Sequence, residues 1–181
     1  PLAAVLALGV IEHLVDPGPV LRAVARLAAA HPGLQLVVSI PNVTHIDVGI
    51  KLLLGRWDLS KIGLLDDTHV RFYNERLVTE TLAGGGWVEA DEFDVVSAFS
   101  DQLFPADAPA LRPGAPLRQV MWRTRMAAAP GGETYQYVRR YAHAPEAAAA
   151  VTRAPIYDGS PDVEERALLS VIVGHRGEAP E

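Results

Sequence analysis

LALGVIEHLVDPG, Leu6 to Gly18, begins as an apolar run and turns polar at Glu12-His13. The run reaches back to Leu2, and LAAVLALGVI (2–11) is almost continuously apolar. A strand covered on both faces reads this way, as in a parallel sheet flanked by helices. A buried helix shares that periodicity, so the next signal decides. Asp16 before Pro17 is an N-cap followed by proline at the first helical position. Val20, Leu21, Val24, Leu27 and Ala28 then form one helical face, ended by His31-Pro32-Gly33. LQLVVSIP (34–41) is a second apolar run, stopped by Pro41. Two buried strands joined by a helix make a β-α-β unit with a right-handed crossover. Ligands of such sheets gather outside the carboxyl ends of the strands. That rule selects Leu8 to His13 and Pro41 to His45.

Further along, Thr44 and Asp47 have the spacing of a capping box, and Ile46, Ile50, Leu53 and Leu54 form a stripe closed by Gly55. Residues 56–74 lack clean periodicity and read as an ordered loop. Asn74 caps a third helix with Leu77, Val78, Thr81 and Leu82 inward, stopped by Gly84-Gly85-Gly86. WVEADEFDVVSAF (87–99) reads as a strand with an irregular start, 101–118 as a Pro- and Gly-rich excursion, and ETYQYVRRYAH (133–143) as a last strand. Ala144 to Glu165 carries no apolar stripe and reads as linker.

The 181 residues, 49% hydrophobic, suffice for one domain with a sizeable core plus a tail. A net charge of -6 without a Lys/Arg cluster argues against a nucleic-acid partner. No apolar run has the length of a membrane span, and zero Cys excludes disulfides and thiolate metal sites. Pro1 stands in place of Met and both ends read as strands, so the chain is expected to be cut from something longer.

LALGVIEHLVDPGPVL and LVVSIPNVTH resemble the fourth and fifth strands, with their following segments, of class I S-adenosylmethionine-dependent methyltransferases. LLLGRWDLSKIGLLDDTHVRFYN, the helix before GGGW, and ETYQYVRRYAHAP are similar to a sub-branch found in cell-surface glycan pathways. The likeness covers roughly residues 2–145. It implies a partial Rossmann-like α/β sheet, mostly parallel with a C-terminal antiparallel hairpin, and domains at 1–145, 146–166 (linker) and 167–181. It further implies S-adenosyl-L-methionine as cofactor, a cytoplasmic location and O-methylation of a small-molecule or glycan hydroxyl. The glycine-rich cofactor loop and the ribose-binding acid of that family have no counterpart here, so these residues alone are expected to bind the cofactor poorly. ALLSVIVGHRGEAPE (167–181) resembles the opening of a family 2 glycosyltransferase, which implies such a domain downstream. Two other readings stand beside the enzyme: a methyltransferase-like scaffold without catalysis, and a parent that is primarily a glycosyltransferase.

By the resemblance, Leu8, Gly9, Val10 and His13 line the cofactor's methionine arm; the plainer reading makes the first three strand core and His13 a structural histidine. Ubiquinone-type O-methyltransferases carry an acid at the position of Gly9 that helps a Glu-His pair hold a divalent ion. With glycine there, no metal is expected. Glu12 reads as a helix-entry carboxylate satisfying backbone donors. His45, or His69 oriented by Asp67, is a candidate base for the acceptor hydroxyl. The alternative for DDTHVRF is a polar loop knotted by Asx and Thr hydrogen bonds. Asn42, Arg71 and Tyr73 are candidate acceptor contacts. Trp57 and Trp87 read as core.

Overall fold

A computed structural model describes residues 2–103, 108–129 and 131–151. The two apolar runs become strands β1 (Ala4–Leu8) and β2 (Gln35–Pro41), which pair in parallel. Helix α1 (Gly18–Ala30) joins them, starting one residue later than the sequence suggests. Asp16 still accepts from the amide of Gly18 at 2.9 Å, closing the turn that launches the helix. Leu21 and Val24 are buried, whereas Val20 and Leu27 are exposed. Helix α2 (Ile46–Leu53) and helix α3 (Glu75–Ala83) follow. Asn74 caps α3 as its side-chain type demands, accepting from the amide of Leu77 at 2.9 Å.

Strands β3 (Trp87–Glu92) and β4 (Val95–Val96) precede helix α4 (Pro116–Ala128) and the long strand β5 (Thr134–His143). The sheet order is β1-β2-β5-β3, with β4 also on β5. The architecture is thus mixed α/β, and its pairing corrects the expectation of a mostly parallel sheet. Among the described strands β1–β2 is the one parallel pair, and β2, β3 and β4 all pair antiparallel with β5. The cause is a single reversed strand. β5 lies inside the sheet and runs against its neighbours, so every ladder it forms is antiparallel.

A second correction concerns the faces of β1. The run reads as a strand covered on both faces, but most of its residues are exposed, with β2 its one partner among the described residues. Leu6 is 64% exposed. The strand also ends sooner than the apolar run: Gly9 turns the backbone at φ +64°, and Ile11–His13 forms a 3-10 turn. The main core lies between the sheet and helices α1 and α3, with Leu21, Val78, Leu82 and Trp87 almost fully buried. The Trp87 indole donates to the carbonyl of Leu21 at 3.3 Å. Trp57, read as core, is half-exposed instead. Two elements fall where irregular chain was expected. Pro116 opens α4 inside the excursion, and α5 (Pro145–Ala149) occupies the start of the supposed linker. The linker beyond Val151 and residues 167–181 lie outside the described residues. No helix among the described residues is long and apolar enough to cross a membrane.

Candidate functional site

The end of β1 meets the loop 66–73, and main-chain bonds fix how. The amide of Gly9 donates to Ser39 at 3.1 Å, extending the parallel ladder by one residue. Its positive φ strains any other residue, while an added Cβ would meet only Glu12 Oε1 at 3.7 Å. The 3-10 turn then brings Glu12 and His13 back toward the loop. Val70 and Arg71 both donate their amides to the carbonyl of Glu12, at 3.0 Å each. Arg71 Nε donates to the carbonyls of Leu14 at 3.1 Å and Val15 at 2.9 Å. Arg71, expected to meet an acceptor, here serves as the clamp that holds the loop against the turn.

Inside the loop, Asp66 Oδ1 accepts from the amide of Thr68 at 2.8 Å and from its hydroxyl at 2.6 Å. These bonds hold the Asp66 carboxyl below its ordinary range. The knotted loop is therefore present as one of the two sequence readings described it. The other reading, His69 oriented by Asp67, is not: Asp67 pairs with Lys61. The knot turns the Thr68 carbonyl toward His13, whose Nδ1 donates to it at 3.1 Å. In the neutral ring that bond leaves Nε2 as the basic nitrogen. His69 lies edge-on to His13, with ring centroids 4.9 Å apart.

Glu12 completes the cluster. It is 2% exposed, and its Oε2 has no hydrogen-bond partner among the described residues. The reading of Glu12 as a carboxylate satisfying backbone donors therefore fails; its carbonyl takes those donors instead. One ligating atom from each of Glu12, His13 and His69 lies within 4.8 Å of the others. Tyr73, buried next to this cluster, has its hydroxyl pushed up by burial. Leu8 and Val10 flank the turn with exposed apolar side chains, not the strand core of the plainer reading.

The other candidates serve the fold. His45 is fully buried and caps α2, a role assigned to Thr44 from the sequence. Its Nδ1 accepts from the amide of Asp47 at 3.2 Å, so Nε2 carries the proton and donates to the carbonyl of Ser97 at 2.9 Å. With both nitrogens engaged, His45 is withdrawn as a base. The Asp47 carboxylate beside it takes Arg118 at 2.6 Å and the Ser100 amide at 2.7 Å, fastening α2 to α4. No sequence signal marked Arg118, because this pairing joins segments far apart in the chain. Asn42 is also buried. Its amide donates to the carbonyl of Thr134 at 2.8 Å, and its Oδ1 accepts from the amide and hydroxyl of Thr44, leaving nothing for an acceptor.

Set against models of known protein families the chain matches none, and no curated protein matches it.

Proposed function

We propose that the chain is the C-terminal part of an S-adenosylmethionine-dependent methyltransferase that methylates a hydroxyl on a sugar or glycan. One observation carries this reading: the turn at Glu12-His13 and the loop bearing His69 are joined at a strand's carboxyl end, where α/β sheets bind ligands. The residues fit the cofactor in one respect. Gly9 leaves open space beside Glu12, and Leu8 and Val10 offer apolar surface for the methionine arm. S-adenosylmethionine, when bound, supplies an electrophilic methyl group. The chain's own contribution is to position the acceptor and receive its proton. His69, partly exposed and with no hydrogen bond to its ring among the described residues, takes the hydroxyl proton on a ring nitrogen. His13, held by Thr68, fixes the wall against which that ring packs. A cytoplasmic location and a glycosyltransferase domain after residue 166 belong to the same reading.

The test is transfer of labelled methyl from S-adenosylmethionine to bacterial polysaccharide, using the protein together with the glycine-rich segment that the resemblance implies upstream. Alkali-stable label, as an O-methyl ether requires, is the expected result. His69→Ala should lower the rate by about 100-fold or more, the usual share of a general base. Absence of transfer with the cofactor bound overturns the enzyme and favours the scaffold.

A further inference from the structure

We propose that Glu12, His13 and His69 form a binding site for a divalent transition-metal ion. Glycine at position 9 gave no reason to expect one, since the Glu-His pair alone is too few ligands. The fold supplies the third from a distant loop. Ligands on a common cation at about 2.1 Å stand about 3–4 Å apart. The cluster's 4.8 Å span is within a small side-chain adjustment of that.

Three features point the same way. Glu12 is a carboxylate buried to 2% exposure whose Oε2 lacks any partner. Buried ionised groups are ordinarily paired or coordinate metals, and no cation is bonded to Glu12 among the described residues. Second, His13 donates Nδ1–H to the carbonyl of Thr68. Metal-binding histidines are held in this way, with one nitrogen tied to an outer acceptor and the other free to coordinate. Third, the loop carrying His69 is clamped to the turn by the Val70, Arg71 and Thr68 contacts, so the ligands are organised before an ion arrives.

The donor set selects the ion. Two imidazoles and one carboxylate suit Zn²⁺, Co²⁺, Mn²⁺ or Fe²⁺, whereas Mg²⁺ and Ca²⁺ prefer all-oxygen shells. Three protein ligands leave at least one coordination position, and the exposure of His13 turns it toward solvent.

This inference does not depend on methyl transfer: binding is measured without cofactor or acceptor, and a His69 ring bound to the ion takes no proton, so ion binding and the base role belong to separate states of the site. Chelator-treated protein is titrated with Co²⁺ by visible absorption and with Zn²⁺ and Mg²⁺ by calorimetry. One Zn²⁺ per chain, at least 100-fold tighter than Mg²⁺, is expected, with Co²⁺ bands in the visible. Glu12→Gln and His69→Ala should each weaken Zn²⁺ at least tenfold, and His31→Ala should change nothing. His13→Asn, at an exposed position, repeats the test should either of the first two misfold. The site is overturned by absence of stoichiometric Zn²⁺ binding, by equal affinity for Mg²⁺, by binding that survives these ligand substitutions, or by its loss in His31→Ala.

Discussion

Arg139 and Glu12 are both buried charged side chains, and the fold treats them in opposite ways. Arg139, 3% exposed on β5, bonds to Asp94 at 2.8 Å, Glu89 at 2.9 Å and Glu75 at 3.2 Å, with Glu92 at 3.7 Å. Its guanidinium also lies over the Tyr137 ring, 5.0 Å from the centroid. Burial works against this cation, but the surrounding carboxylates outweigh it and raise its proton affinity. Glu12 has similar burial and an oxygen with no partner among the described residues. A charge kept for architecture is saturated by its neighbours. One left open inside a fixed frame is the centre of the metal site proposed above.

The largest test of that contrast breaks the saturated side. Arg139→Met leaves Asp94, almost as buried as the arginine, without its cation. It should cost about 3–5 kcal/mol, the usual penalty for stranding one member of a buried ion pair. Chemical denaturation reads this directly, and a loss below about 1 kcal/mol makes the cage a surface feature. On the open side the sign reverses. Glu12→Gln removes a desolvated charge with no partner, so the metal-free protein should gain about 1 kcal/mol. A loss of stability there means Glu12 is satisfied in solution.

The smallest effect at neutral pH appears only in alkali. Tyr137, beside the cage, has its hydroxyl pushed up to about 12, by burial first and then by the charge of Glu75. Tyr135 is likewise pushed up to about 12, by burial and Asp101. An unfolded tyrosine ionises near pH 10. Between pH 10 and 12 the unfolded chain therefore loses protons that the folded chain keeps, and stability falls as pH rises through that window. Denaturation midpoints from pH 9 to 12, with tyrosinate absorbance followed in parallel, check it. Tyrosines that all titrate near 10 in the folded protein contradict the packing described for β5.

Legibility followed the range of the interactions. Asn74 and its helix were readable because the cap and its amide are three residues apart. The strand LQLVVSIP was readable because a central strand is apolar on both faces. The same reasoning failed for LAAVLALGVI, where the apolar pattern fits a covered strand but Leu6 and Leu8 are exposed among the described residues. His45 was misread for a related reason. A histidine before a helix looks the same whether it faces solvent or is sealed by the Ser97 carbonyl from another segment. The Asp66–Thr68 knot was readable as one of two options, since its bonds span two residues.

By itself the sequence determined the elements whose causes are local: the β-α-β start and the Asn74 cap, with the knotted loop as one of two options. Only the tertiary structure decided that β5 reverses the sheet's pairing, that Arg139 is enclosed by four carboxylates, and that His69 reaches Glu12 and His13. Caps and turns are bonded within a few residues, where composition speaks directly. Strand order and side-chain convergence depend on which surfaces meet after the chain has closed on itself, and side-chain types alone do not encode that meeting.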